Sequence, residues 1–180
     1  MIEPTYDYRM MAIDPSARSG LGIAIGEVKA GQLVPVYADT VDLLRLSVKQ
    51  LGHDSFPARL ECLDRLLCSL IDKWDIRVVA CEDCYLGASA HSYRLAVTVI
   101  ERIKWIVKDL LPTELCLMEP SVVKVYSRVH GNDGDKNKMS AFVEQWISTL
   151  PHCSLDTGLL DEHSTDALAI LHACHRRLLE

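Results

Sequence analysis

At the start of the chain, apolar residues are grouped into short runs that alternate with polar turns. Residues 8–13 and 20–25 are nearly continuous apolar runs, separated by the polar segment 15–19. A third run, residues 33–38, follows a turn at 29–32 whose Ala-Gly pair tolerates a positive φ. Runs of this length joined by short turns are typical of β-hairpins. The pattern therefore predicts an antiparallel meander of three strands.

The apolar spacing then changes to a helical period. Leucines and an isoleucine recur three or four residues apart, after Asp54 and Ser55 as candidate N-caps. This pattern predicts an amphipathic helix over residues 57–73.

Strand and helix patterns alternate in the middle of the chain. A short buried strand is predicted at residues 78–81, followed by a helix at 91–111 that is about 30 Å long at 1.5 Å per residue. This helix leads to a fifth strand at 115–118. Because a helical crossover joins the two strands, we expect them to be parallel.

The last part of the chain is mainly helical. Residues 121–135 are rich in loop-forming residues, and helices are predicted at 137–150 and 163–179. The order β-β-β-α-β-α-β-α-α predicts the α/β class, with a mixed five-stranded sheet flanked by α-helices.

Composition indicates one domain over residues 1–180. The chain has 180 residues and is 49% hydrophobic, which suits a single core. No uncharged apolar run reaches the roughly 18 residues of a membrane span, and the N-terminus lacks the order of a signal peptide. Seven cysteines, an odd number at irregular spacings, favour buried free thiols in a reducing compartment. We expect a soluble, cytoplasmic protein with no membrane partner.

Charge is unevenly distributed along the chain. The net charge of −6 at first argues against nucleic acid as a partner, because phosphate binding needs a basic surface. Residues 84–140, however, carry eight basic and six acidic side chains, whereas both flanking segments are acidic. A metal-dependent nuclease also concentrates acids at its active site, where bound divalent cations would reverse the local sign of charge. The middle segment is therefore the candidate phosphate-binding surface.

Two acidic residues stand where predicted strands end. Asp14 follows the apolar run of the first strand, and Glu82 follows that of the fourth. A carboxylate there is partly desolvated, which is unfavourable unless a cation or hydrogen bonds compensate. If the strands are neighbours in the sheet, both acids can offer oxygens to one hard cation. The alternative for each is an acid that ends its strand in solvent.

A third acidic cluster lies at the start of the last predicted helix. His163 and Asp166 are three residues apart and therefore share a face of its first turn. The very apolar segment 167–171 must pack against the sheet, which brings this turn near the strand ends. Asp161 and Glu162 instead suit the positive end of the helix dipole.

Three segments carrying these residues resemble the motifs of RuvC-type Holliday junction resolvases, which have the RNase H-like fold. AIDPSARSGLGIAI resembles their first-strand motif, usually IDPG followed by a glycine-containing second strand, VVACEDCYLGASAHS the second motif and HSTDALAI the last. The resemblance spans nearly the whole chain. It departs from the family at Ser16, where glycine is usual, and in a longer loop between Lys124 and Lys136.

The resemblance implies a catalytic site and a reaction. Asp14, Glu82 and Asp166 would be metal-binding carboxylates, and His163 would take the fourth catalytic, metal-binding position. The family uses two Mg²⁺ ions per site, with Mn²⁺ as a substitute, to hydrolyse phosphodiester bonds, and oxygen ligands suit both ions. The implied protein is a homodimeric endonuclease that makes paired nicks in four-way junctions and other branched DNA, with no organic cofactor. Its divergence suggests a bacteriophage-encoded member.

The resemblance also implies DNA contacts. Tyr85 matches the position from which the family inserts an aromatic ring at the junction centre, where the ring stacks on bases. Lys124 and Lys136 match basic positions that contact phosphates of the scissile strand. Additional phosphate contacts are expected from Lys138, Arg128 and Arg94.

The helix predicted at 91–111 is more apolar than packing on one sheet requires. One stripe contains Leu95, Val99, Ile103, Ile106 and Leu110. The stripe is widened by Val97, Ile100 and Val107. This surplus predicts a dimer interface, and a two-fold dimer matches the approximate symmetry of a four-way junction. The alternative is a helix buried between the sheet and another helix of its own chain.

Three other functions stay open from the residues alone. Cys81 and Cys84 form a C-x₂-C pair that could bind zinc as a structural site, with candidate partners His172, Cys174 and His175. Strand alternation argues against zinc, because it places Cys81 on the core face. A phosphate-binding ATPase of the actin and sugar-kinase type would need two such domains. Another RNase H-like nuclease, acting on RNA or other nucleic-acid structures, or a binding-only relative, is the third alternative.

Overall fold

The chain folds around a mixed five-stranded sheet. The computed structural model describes residues 7–15, 20–84, 89–129 and 136–180, with only the backbone of residue 136. The strands are β1 (Tyr8–Asp14), β2 (Leu21–Lys29), β3 (Gln32–Val41), β4 (Ile76–Glu82) and β5 (Cys116–Met118). Their order is β3-β2-β1-β4-β5. The predicted meander is confirmed, since β1, β2 and β3 are antiparallel. The predicted parallel pairing of β4 and β5 is also confirmed, and β1 and β4 are parallel neighbours.

Helices cover both faces of this sheet. Those of the described residues are α1 (Leu43–Leu51), α2 (Phe56–Trp74), α3 (Ala90–Leu110), α4 (Pro120–Tyr126), α5 (Lys136–Ser148) and α6 (Glu162–Leu178). A 3-10 turn at Thr157–Leu159 precedes α6. The four predicted helices are confirmed with small shifts at their ends, and Ser55 is the N-cap of α2.

Two helices were not predicted. α1 begins at Asp42, whose side chain accepts a hydrogen bond from the Arg45 backbone at 3.0 Å. Its apolar residues do not mark its buried face, because Leu44 and Val48 are exposed while Ser47 is buried. The prediction of a loop after residue 120 is wrong over α4, whose seven residues are too few to show a helical period.

Each face of the sheet has its own apolar core. Met11, Ile13 and Val79 point towards α1, α2 and α3. Alternate residues, including Ala12 and Ala80, point towards α4, α5 and α6. This alternation is the two-residue period of a strand. The sheet is therefore the middle layer of three.

Glycines in β2 let α6 lie close to the sheet. A Cβ on Gly22 would stand 2.1 Å from the carbonyl oxygen of His163, a distance that no side chain tolerates. A Cβ on Gly26 would meet Leu33 at 2.5 Å and Leu171 at 3.1 Å. The absence of side chains at Gly22 and Gly26 thus determines how closely α6 approaches β2.

The prediction that α3 has more apolar surface than packing within its own chain requires is partly wrong. Ile100 and Val107 are buried against the α2 side of the sheet, as the alternative of intramolecular burial requires. Trp105 and Leu110 remain 59% and 47% exposed, although Leu110 belongs to the apolar stripe identified in the sequence. Any surface that α3 offers to a partner is therefore centred on these two side chains.

The prediction of buried free thiols is confirmed in part, since Cys68 is exposed and Cys84, Cys116 and Cys153 are half-buried. All seven are free thiols, and Cys62, Cys81 and Cys174 are buried.

Within the described ranges, no helix combines the length and hydropathy needed to cross a membrane.

Candidate active site

Asp14 and Glu82 end two neighbouring parallel strands at the same edge of the sheet. Ile13 of β1 is in register with Cys81 of β4, so the acids that follow them are adjacent. Both acids continue the alternation of Ala12 and Ala80, which point towards α6. The predicted proximity of the two acids is confirmed by this register.

The first turn of α6 is fixed above this edge by polar contacts. The Asp161 side chain accepts a hydrogen bond from the Ser164 backbone at 2.9 Å, and Ser164 Oγ accepts one from the Asp161 backbone at 2.9 Å, a capping box. Thr40, at the end of β3, donates its hydroxyl to Asp161 at 2.5 Å. Asp161 therefore caps α6, as its position in the sequence indicated.

This turn brings His163 against Asp14. The imidazole Nδ1 lies 2.7 Å from Asp14 Oδ2, and the two side chains are 23% and 13% exposed. Burial raises the pKa of the Asp14 carboxyl, and the hydrogen bond with His163 acts against that rise. His163 thus favours the charged form of Asp14 and restricts its orientation.

Glu82 is the most strongly perturbed acid at this edge. Its pKa is raised to about 8, first by burial, then by the negative charges of Asp14 and Asp166, while Lys124 acts to lower it. Asp166 and Lys124, from α6 and α4, therefore lie close enough to Glu82 to alter its protonation. Asp14 and Glu82 are both poorly solvated, and Asp166 lies near enough to Glu82 to add to the rise in its pKa.

This donor set suits a hard divalent cation. Carboxylate oxygens are the ligands that Mg²⁺ prefers, and mutual repulsion among acids is relieved by bound positive charge. The side chains as placed do not form a closed cage: no three His, Cys, Asp or Glu residues in the described part of the chain are gathered tightly enough to hold an ion. The site fits such an ion by its chemistry and its charge, with Asp14, Glu82, Asp166 and His163 as the candidate ligands.

Of the other predicted DNA-binding residues, the structure describes the side chains of Lys138, Arg94 and Arg128, which lie on or next to three different helices. Tyr85 lies outside the described residues, as does the side chain of Lys136. Lys138 is exposed near the start of α5, where neighbouring residues of α5 line a hollow that also includes Glu162 and Asp166. Arg94 is exposed in the first turns of α3. Arg128 is exposed just after α4.

Sequence reasoning missed the residues that position this site. Gly20 lies against both Thr40 and His163, since a Cβ there would meet them at 2.6 and 3.2 Å. Together with Gly22, it lets the first turn of α6 approach β1. The signal was available: small residues at alternate positions 20, 22, 24 and 26 indicate one strand face on which a helix packs closely.

The alternative of a zinc site built around Cys81 is wrong. Cys81 is fully buried on the sheet face that carries α2 and α3. Cys174, its proposed partner, is buried on the opposite face with α6. The sheet itself separates the two thiols, so they cannot share one ion.

Comparisons with known proteins identify the fold. No protein-family model matches the chain, and no curated protein sequence matches it. It is similar in structure to Thermus thermophilus RuvC in complex with a Holliday junction substrate, with a TM-score of 0.67 and 13% identity over 95% of this chain and 96% of that one. The yeast mitochondrial Holliday junction resolvase is similar to it with a TM-score of 0.64 and 15% identity, over 94% of this chain and 78% of that one.

A viral protein shows the same similarity. The Fowlpox virus resolvase gives a TM-score of 0.59 at 12% identity, over 96% of this chain and 99% of that one. Identities this low establish architecture rather than chemistry. The chain has the RNase H-like fold of RuvC-type resolvases, which confirms the fold expected from its motifs.

Proposed function

We propose that this protein is a Mg²⁺-dependent endonuclease that resolves four-way DNA junctions by paired nicks. One observation carries the proposal: Asp14, Glu82 and Asp166 are brought together by β1, β4 and α6, with the pKa of Glu82 raised to about 8. Such a cluster is unfavourable without a cation. Its position on a resolvase fold supports phosphodiester hydrolysis.

The carboxylates would hold the metal. When bound, Mg²⁺ would supply the positive charge that activates a water and stabilises the leaving oxygen. Glu82, with a pKa of about 8, is largely protonated at neutral pH and must lose that proton to become a ligand. The hydrogen bond with His163 orients Asp14 and favours its charged form, against the effect of burial on its pKa.

Lys124 joins this site to a phosphate-binding surface. It lies near enough to Glu82 to lower the pKa of that acid, so its ammonium can also meet a scissile phosphate. A cation at this edge partly offsets the repulsion between the acids and the DNA backbone. Lys136, Lys138, Arg128, Arg94 and Tyr85 remain proposed DNA contacts.

The working unit would be a homodimer. Resolving a junction into two duplexes requires nicks on opposed strands, and two identical sites related by a dyad provide them. Trp105 and Leu110 on α3 form the exposed apolar surface that we assign to the interface.

A substrate comparison tests the proposal. Strand-labelled four-way junction, linear duplex of the same sequence and RNA–DNA hybrid are each incubated with the protein in Mg²⁺ or in EDTA. The expected result is symmetric nicking of the junction alone, and only with Mg²⁺. Preferential cutting of the hybrid would favour an RNA-processing enzyme, and cutting in EDTA would exclude the metal mechanism.

A further inference from the structure

A second concave site lies on the α6 face of the sheet. It is a cavity of about 530 Å³ between the end of α4, the second half of α5 and the later turns of α6. We call it the α4–α5–α6 cleft. The lining residues that matter here are Tyr126, Arg128, Phe142, Trp146, His172 and Arg176.

Aromatic rings form the wall of the α4–α5–α6 cleft. The His172 ring lies 5.1 Å from Phe142 and 4.9 Å from Trp146, both edge to face. Burial and the charges of Arg176, His175 and Arg128 lower the pKa of His172 to about 4, so its ring is uncharged at neutral pH. Its Nδ1 is buried without a hydrogen-bond partner in the described part of the chain. This wall offers ring surface to the cavity, while His172 Nδ1 stays buried behind it.

Two arginines supply the charge of the cleft. Arg128 and Arg176 line the same cavity as His172, and their charges contribute to the lowered pKa of that ring. Among the residues that the structure describes, those that line the cavity include no acid. The cleft therefore fits an anionic group beside a planar one.

Arg128 occupies a backbone position that usually belongs to glycine. Its N–H bonds to the Val125 carbonyl at 3.1 Å, and the Val129 N–H bonds to the Lys124 carbonyl at 3.0 Å. These bonds form a Schellman motif in which Arg128, with a φ of 54°, holds the left-handed position. Glycine would satisfy this backbone with less strain.

We infer that the α4–α5–α6 cleft binds an unpaired nucleotide of the DNA, with the phosphate held by Arg128 and Arg176 and the base stacked on the Trp146 wall. Guanidiniums suit phosphates, and aromatic rings stack on bases of any sequence. The inference rests on the proposed function. His172 follows His163 on the same helix by about 14 Å at 1.5 Å per residue, or roughly four base-pair rises. Nine residues are two and a half turns of 3.6 residues, so His172 projects from the side of α6 opposite to His163, and a strand that occupies both sites must cross this helix.

Replacing Arg128 tests DNA binding by the cleft with a variant that should not lose stability. Arg128→Gly relieves the left-handed residue and removes the guanidinium, so the thermal midpoint should rise while junction affinity in EDTA falls roughly tenfold. The slope of log K against log salt should fall by about one. The matched control is Ala30→Gly, which relieves a residue with a φ of 49° in the β2–β3 turn and should not change affinity. Arg128→Gly with unchanged affinity and salt slope would overturn the inference.

Photocrosslinking locates the base. Oligo(dT), a linear duplex and a four-way junction are prepared with 5-iodouracil and irradiated with the full-length protein in EDTA. Crosslinks from oligo(dT) and the junction should map to the α5 peptide that contains Phe142 and Trp146, with few from the duplex. Absence of α5 crosslinks, from a protein that binds and cuts junctions, would reject the cleft alone. Failure to bind any junction would instead reject the proposed function.

Discussion

At the scale of single residues, Glu82 links the site to stability. Its pKa is raised to about 8 from 4.5, so the folded protein keeps a proton that the unfolded chain releases at lower pH. The stability contributed by that proton is complete below pH 4.5 and is lost as pH rises through about 8. The native chain therefore carries a destabilising charge at high pH unless a cation offsets it.

We predict that Glu82→Gln stabilises the metal-free protein at high pH. The variant should exceed the wild type by about 2–5 kcal/mol at pH 9 and match it near pH 4, because one pKa unit corresponds to about 1.4 kcal/mol. Urea unfolding at the two pH values measures both differences. Glu114→Gln, an exposed acid before β5, is the control and should show no such divergence. Equal stability of wild type and Glu82→Gln at pH 9 would refute the assigned burial of this charge.

His163 should affect the pH dependence of cleavage. Its hydrogen bond opposes the rise in the pKa of Asp14, so His163→Ala should raise that pKa and require a higher pH for the same Mg²⁺-dependent rate. Cleavage at neutral pH should fall, but less than in Asp14→Asn, because the carboxylate remains. A rate profile from pH 5 to 9 measures the shift. A profile that falls in height without moving would mean that His163 does not act through Asp14.

At the scale of elements, the contact between β2 and α6 places the site. Gly22 and the carbonyl of His163 leave no room for a Cβ, since the two atoms would be 2.1 Å apart. The backbone cannot yield as a flexible side chain does, so any substitution must move the first turn of α6. That turn carries His163, and Asp166 follows in the next turn of the same helix.

We predict that Gly22→Ala damages both stability and catalysis. The free energy of unfolding should fall by about 2 kcal/mol or more, in the range of overpacked cores, and Mg²⁺-dependent cleavage should fall with it. Gly158→Ala is the matched control, because the atom nearest to its Cβ is a side-chain oxygen at 3.3 Å. Denaturant unfolding and junction cleavage on the same preparations compare them. Wild-type cleavage by Gly22→Ala would show that α6 does not set the geometry of the site.

Helices and strands could be predicted from the sequence where the spacing of apolar residues matches the positions that are buried in the fold. β1, β4 and α6 have long apolar runs, so their ends, and with them Asp14, Glu82 and Asp166, could be identified. α1 could not, because it leaves Leu44 and Val48 exposed and buries Ser47. The α4–α5–α6 cleft could not either, because Arg128, Trp146 and His172 are distant in sequence and meet only when α5 and α6 pack together.

At the scale of the whole molecule, the exposed surface of α3 is the basis for a dimer. Trp105 and Leu110 line one hollow together with Cys68 of α2. Aromatic and apolar side chains exposed in one place are typical of interaction surfaces. The cation of Lys108 lies 5.4 Å from the centre of the Trp105 ring, which leaves the other ring face available.

We predict that Trp105→Glu converts a dimer into a monomer. Light scattering at micromolar concentration should give twice the 20.2 kDa chain mass for the wild type and a single mass for the variant. The variant should still nick junctions but should lose the pairing of the two nicks. Val48→Glu, which alters an exposed residue of α1, should leave the dimer intact. A wild-type monomer that makes paired nicks at low enzyme concentration would contradict this proposal.

The central claim is that Asp14, Glu82 and Asp166 form one catalytic metal site, and isosteric variants test it most directly. Asp14→Asn, Glu82→Gln and Asp166→Asn should each abolish Mg²⁺-dependent cleavage of a labelled four-way junction while junction binding in EDTA stays intact or improves, because each removes a metal ligand but no phosphate contact. Asp161→Asn is the control: asparagine caps a helix as well as aspartate does, so this variant should cut normally. Substantial cleavage by any two of the three site variants, or loss of cleavage in Asp161→Asn equal to theirs, would contradict the claim.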